Sequence, residues 1–343
     1  MNFGSLDLNA VWFALIGVLF TGYALLDGFD LGVGALHLFT KTDEERRVMI
    51  NAIGPVWDGN EVWLVTGGGA LFAAFPMVYA TVFSGFYLAF VLLLVALIFR
   101  AVAIEFRSKQ PMGWWRQMWD VGFAAGSVLS SLLIGVAMGN IAWGVPLDAQ
   151  HEFAGNFQTL LHPYSLWLGV TTVALFMMHG SLYALMKTEG ALHDRIRGWV
   201  GNCIIFFIMC YAITTMATLL YVPHMAARVR ANPWLFSIAV VNMLAIANIP
   251  REIHHGRDGR AFVSSGVAML ALMGLFGLEM FPNLVLSNPD LANSLTVYNA
   301  ASSPKTLGIM LTIALIGVPL VLAYTVSIYW IFRGKVKLDK MSY

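Results

Sequence analysis

Long apolar runs, broken by short clusters of charge, set the pattern of this chain. Nine runs approach the 20 or so residues that a helix needs to cross a hydrocarbon core about 30 Å thick. They lie near 8–34, 56–75, 77–104, 118–143, 163–186, 199–222, 233–249, 262–281 and 307–332. The pattern predicts an all-α, polytopic membrane protein with nine transmembrane helices in a single integral membrane domain spanning 1–343. Only Phe75-Pro76-Met77 separates the second and third runs. That predicts a tight turn, because proline does not continue a helix interior. A faint internal echo adds a subdivision. The first span ends in LHLFTKTD (36–43) and the fifth in LYALMKTE (182–189). The echo suits two four-helix units, helices 1–4 over about 8–143 and helices 5–8 over about 163–281, plus a peripheral ninth helix over about 307–332. Chance similarity between two juxtamembrane segments is the competing explanation.

The basic residues test the count. With the N-terminus outside, seventeen of the twenty Lys and Arg residues fall on the inner side, and only Arg228, Arg230 and Lys305 on the outer. A wrong count would flip the later loops and destroy this alternation, so the positive-inside rule supports nine spans with the C-terminus inside. The first span lacks the basic flank and small-residue cleavage site of a signal peptide. It is expected to be retained in the membrane.

Composition agrees. Hydrophobic residues make up 59% and charged residues 11%, against about 25% charged in soluble domains. A net charge of +1 argues against nucleic acid as a partner. Cys203 and Cys210 share one apolar run and read as core fillers rather than a disulfide or metal knuckle.

Against this background the acidic residues stand out, since charge within hydrocarbon costs about 2.5–3.5 kcal/mol on insertion scales and usually marks function. Asp27 and Asp30 lie at the inner end of the first span, Asp58 and Glu61 at the inner start of the second, and Asp120 at the inner start of the fourth. Each three-residue spacing puts a pair on one helix face. Carboxylates crowded in low dielectric do not all ionise, which suits proton uptake and hand-off. The competing reading for Asp58 and Asp120 is helix capping. Arg100 reads as snorkelling toward the headgroups, with pairing to one of these acids as the alternative.

Seven of the eight histidines sit in loops or at span ends, and only His179 is well inside a span. Haem iron takes an axial His, Met or Cys, so His179, followed by Gly180, is a weak candidate beside the reading of a satisfied core histidine. No metal site is expected. Gly67-Gly68-Gly69 lies within a span and reads as helix packing, not a phosphate loop. No dinucleotide fingerprint, P-loop or nucleophile elbow is present.

Several stretches resemble one family: GFDLGVG (28–34), ERR (45–47), WDGNEVWL (57–64), GGALFAAFPMVY (68–79), FSGFY (83–87), FRSK (106–109), WDVG (119–122) and SLT (294–296). They are similar to subunit II of cytochrome bd quinol oxidase, in the shorter branch that includes the cyanide-insensitive type. The densest matches lie in the first 145 residues, and the nine-span plan covers the whole chain. The resemblance implies a heterodimer with a homologous subunit I, which carries two b-type haems and one d-type haem. It implies oxidation of quinol on the outer side and reduction of dioxygen to water. No haem is implied in this chain, which leaves His179 in doubt. The chain itself is then not catalytic. It supports subunit I and supplies a cytoplasmic proton path through Asp27, Asp30, Asp58 and Asp120, to which the spacing argument adds Glu61. Trp57 becomes a packing, interface or cofactor-binding candidate beside Asp58. Some members hold a structural quinone in this subunit, and small single-helix accessory subunits and membrane lipid are further partners. The alternative function is a proton-coupled secondary transporter, and a third reading is a scaffold whose carboxylates only cap helices.

Overall fold

The computed structural model describes residues 6–338 and Ser342. Lys340, counted above with the basic ends, and the first five residues lie outside that set. Twelve α-helices carry the described chain. The first, α1 (Leu8–Leu36), is capped by the Asp7 carboxylate, which accepts from the amides of Asn9 and Ala10. A short amphipathic helix, α2 (Asp43–Ile53), follows. It had not been expected, although Thr42 and Glu45 form a capping box whose spacing is readable in the sequence. Then come α3 (Trp57–Ala74), α4 (Pro76–Gly85), α5 (Tyr87–Phe106), α6 (Gly113–Trp143), α7 (Pro163–Lys187), α8 (Gly190–Tyr221), the short α9 (Ala227–Ala231), α10 (Phe236–His254), α11 (Asp258–Met280) and α12 (Pro304–Ile331).

Eight helices among the described residues are long and apolar enough to cross a membrane. The difference from nine lies at α3, where the second span was expected. With 18 residues it is roughly 27 Å long, and Asp58, Asn60 and Glu61 make its first turns polar. The third expected span, 77–104, is not one helix. It divides at Phe86 (φ −100°, ψ 15°) into the ten-residue α4 and the membrane-length α5. The turn expected at Pro76 is present, with proline in the first turn of α4, where its missing N–H costs nothing.

α1 lies against α3 and α6, and α6 against α5; α7 lies against α8 and α11, and α11 against α10. α7 also packs along α1 and α6, to a similar extent. Where α7 crosses α1, Gly32 and Gly180 bring two backbones together. A Cβ on Gly32 would lie 1.8 Å from the Phe176 carbonyl oxygen, and one on Gly180 would lie 2.5 Å from the Gly32 backbone. Small residues at such crossings replace hydrophobic drive with close packing. α12 stands to the side, with only Leu307 and Leu311 buried.

At the end away from the basic clusters, loops build a cap. Strands β1 (Asn283–Val285) and β2 (Leu295–Thr296) pair antiparallel, and Val145 bridges to Ser287. Ser302 donates from its amide to the Ala74 carbonyl (2.8 Å) and from its hydroxyl to that of Ala73 (2.7 Å). These bonds satisfy carbonyls that the C-terminus of α3 leaves unpaired. The cap therefore holds α3 in register from one end, while its acidic start faces the other.

Candidate functional site

The site is built where α1, α3, α5 and α12 meet. Asp27 is fully buried, and Arg100 of α5 grips it with both terminal guanidinium nitrogens, at 2.5 and 3.0 Å. The snorkelling expected of Arg100 is thus overturned: its side chain is 0% exposed. The cause is the helix beside it. Gly126 of α6 lets that backbone approach Ala96 and Arg100 so closely that a Cβ there would sit 2.6 Å from the Ala96 carbonyl. Packing closes the route outward, and a bidentate carboxylate replaces water as the partner. Glu61 approaches the same guanidinium at 3.6 Å from a position 22% exposed.

Asp30, one turn along α1, is equally buried but has no cation of its own. Its Oδ2 accepts from the Asn60 amide at 2.8 Å, and its Oδ1 has no partner among the described residues. Asn60 also donates to the Leu26 carbonyl (3.3 Å) and accepts from the Tyr329 hydroxyl (2.9 Å), which ties α12 to the site. Asp27, Asp30, Glu61 and Arg100 are near enough to interact electrostatically. Asn60 had a readable signal, lying between Asp58 and Glu61 in the WDGNEVWL stretch. Tyr329 had none, being 269 residues away in sequence.

Asp58 is exposed on the first turn of α3. It is not the cap, since the N-cap is Val56 and no side-chain cap bond forms. Trp57 packs at the edge of the core that includes Phe29, Ile53 and Ile249.

Asp120 belongs to a second cluster, nearer the basic end. It is not a cap either: α6 begins at Gly113, earlier than expected. Arg107 Nε donates to Asp120 at 2.5 Å, Arg46 Nη1 at 2.7 Å, and His37 Nε2 lies 2.6 Å away. Arg107 and Arg116 also hold Asp43, at 2.7 and 2.9 Å. Ten residues of α1 separate Asp27 from His37, roughly 15 Å along the axis. The structure therefore gathers Asp27, Asp30 and Glu61, sets Asp58 at their outer edge, and keeps Asp120 apart.

His179 is buried between α1, α7 and α11. One ring nitrogen meets the Ser265 hydroxyl at 2.7 Å, the other the Leu25 carbonyl at 3.1 Å, and the ring stacks on Phe262. Among the described residues no group of three or more His, Cys, Asp or Glu side chains is placed to hold a metal ion.

Membrane-length helices enclosing a guanidinium–carboxylate cluster define a polytopic membrane protein that keeps its charge inside the bundle, an arrangement associated with ion or proton movement. Comparison with known proteins gives the family. The sequence model for cytochrome bd terminal oxidase subunit II matches residues 8–332. Cytochrome bd-I ubiquinol oxidase subunit 2 of Escherichia coli (strain K12) is 37% identical over 360 residues, covering 96% of this chain and 95% of that one. Cytochrome bd ubiquinol oxidase subunit 2 of Bacillus subtilis (strain 168) is 36% identical over 335 residues, covering 96% and 97%. A chain in the structure of bd oxidase from Geobacillus thermodenitrificans shares the fold, with a TM-score of 0.78 at 15% identity over 96% of this chain and 98% of that one. The chain belongs to the cytochrome bd terminal oxidase subunit II family. It is accordingly a subunit of a terminal oxidase with a subunit I partner, and a multi-pass protein of a bacterial inner membrane. The transporter alternative falls with that membership.

The family implies haem in the complex. His179 does not fit an axial ligand, because both ring nitrogens are already engaged and an aromatic ring covers one face.

Proposed function

We propose that this chain braces a haem-bearing subunit I and gives the complex a proton-uptake path from its basic, cytoplasmic end. In this reading the N-terminus lies outside and the C-terminus inside, as the distribution of Lys and Arg favours. The complex oxidises quinol and reduces dioxygen to water on the haems of subunit I, two b-type and one d-type, and protons drawn from inside build a proton-motive force.

A gradient of burial running inward from the first turns of α3 to α5 and α1 carries the proposal. Asp58 is exposed; Glu61, one turn on, is 22% exposed; Arg100 and Asp27 beyond it are 0% exposed. Asp58 is the entry. Glu61 is the carrier, because at 3.6 Å it neutralises Arg100 without being locked to it, and Arg100 keeps Asp27 when Glu61 takes up a proton. Asp27, gripped bidentately, fixes the guanidinium. Asp30, bonded to a neutral amide, changes protonation without breaking an ion pair, so it and not Asp27 is the inner proton-carrying group. Asp120, held by two guanidiniums and an imidazole, is a fixed anion anchoring the inner end of α1. Trp57 packs behind Asp58.

The test is turnover of the assembled complex. Asp58→Asn and Glu61→Gln should each lower quinol oxidase activity about tenfold or more, the scale on which positioned proton transfer contributes, with the reduced-minus-oxidised haem spectrum unchanged. Wild-type turnover in both variants would remove the path from this chain.

A further inference from the structure

The cluster around Asp120 opens on a cavity of about 440 Å³ whose polar wall is Lys41, Asp43, Arg46, Arg107, Arg116 and Asp120. Its charges do not balance. Four cations face two carboxylates, and both carboxylates are already shared among three arginines. Arg107 is 1% exposed, yet its Nη1 has no partner among the described residues, and neither has Arg46 Nε. The Lys41 ammonium makes no hydrogen bond or ion pair among them. A buried guanidinium with an unanswered donor is costly in isolation, so the excess of two positive charges at the cavity calls for an anion with several acceptor oxygens. A phosphate group meets that need, since its oxygens match the forked donors of arginine.

Its place in the fold identifies the source. The cavity lies where α5 ends and α6 begins, at the level where helices leave the hydrocarbon. Exposed apolar side chains flank it on this same stretch: Phe106 (47%), Met112 (42%), Trp114 (62%) and Met118 (44%). Trp114, Trp115, Trp119 and Phe106 form a continuous edge-to-face chain of rings. Tryptophan at this depth is characteristic of the membrane interface, and basic pockets among transmembrane helices receive anionic headgroups. A soluble phosphate would use the cations and ignore the aromatic rim. We propose that this cavity is a binding site for an anionic phospholipid, with the phosphate among Lys41, Arg46, Arg107 and Arg116 and the glycerol and acyl chains along Trp114 and Phe106.

The test uses the assembled complex, stripped of lipid and titrated with phosphatidylglycerol or phosphatidylcholine while native mass spectrometry counts bound lipid. Lys41→Ala/Arg116→Ala removes the two outermost cations and leaves the bonds to Asp120 in place. The expected result is an affinity for phosphatidylglycerol about 30-fold lower in the double variant, at roughly a factor of five per basic residue. Phosphatidylcholine binding and the haem spectrum should not change. Equal phosphatidylglycerol affinity in the two proteins would overturn the proposal. So would a site that takes up millimolar inorganic phosphate but shows no preference for phosphatidylglycerol, which would make it a soluble-anion site. Turnover in phosphatidylcholine should remain that of the wild type, so failure here is distinct from failure of the proton path.

Discussion

Two carboxylate clusters, one between α1 and α3 and one between α2 and α6, set the same side chains in opposite proportions. Around Asp120, two arginines and a histidine converge on one acid, and the second acid, Asp43, shares one of those arginines. Around Asp27 and Asp30 the ratio is reversed: three acids, counting Glu61, are near a single guanidinium. Cations in excess fix a carboxylate as an anion. Acids in excess leave at least one that is neutral or exchanges a proton, because unpaired buried charge is expensive. On the proposed proton path, partner count, rather than the acids alone, is what separates an anchoring cluster from a proton-handling one.

Arg100 is where that contrast breaks most severely. Arg100→Leu leaves Asp27 uncompensated and should cost about 3–5 kcal/mol, read as loss of assembled complex and a lower thermal midpoint. Arg100→Lys should recover only part, since an ammonium does not reproduce the bidentate fork. Wild-type assembly of the leucine variant would show that the ion pair is not what holds α5 to α1. A sharper comparison removes one charge from each cluster. Asp120→Asn strips the shared anion from between two arginines and should destabilise by about 2–3 kcal/mol. Asp30→Asn should cost under about 1 kcal/mol, because its partner is an amide, while lowering turnover. Thermal unfolding and oxidase activity on the two variants check the pair; equal stability losses would erase the distinction.

The smallest effect concerns Glu45, on α2 outside the membrane-spanning helices. Burial disfavours its charge, but the Lys41 and Thr42 amides and the Arg195 guanidinium outweigh that and hold its carboxyl below the ordinary glutamate value of 4.5. A group whose pKa is lower when folded adds stability above its unfolded value and loses it as pH falls through the folded one. Acid unfolding of the Glu45→Gln complex should therefore lose part of its pH dependence below 4.5 and match the wild type in shape at neutral pH. An unchanged acid profile would remove Glu45 from the account.

Much of the bundle was legible because apolar runs report helices directly. The division at Phe86 was not, because Ser84-Gly85 interrupts a run whose composition stays apolar on both sides. The acids were legible as a set, since charge within such runs is conspicuous. Their partners were not. Arg100 closes on Asp27 across 73 residues and His37 on Asp120 across 83, and nothing local distinguishes a buried arginine at a span end from one reaching the headgroups. The decisive signal, Gly126 against Arg100, requires knowing that α5 and α6 touch at that depth.

The contact between Gly32 and Gly180 limits how the proposed proton path can operate. With two main chains meeting and no side chain between them, α1 cannot turn about its axis or slide along α7 without collision. Asp27 and Asp30 are carried on a spindle locked two residues beyond the second of them. Whatever protonation does at these positions must be expressed by side-chain torsions and water, leaving the helical frame presented to the neighbouring subunit unmoved.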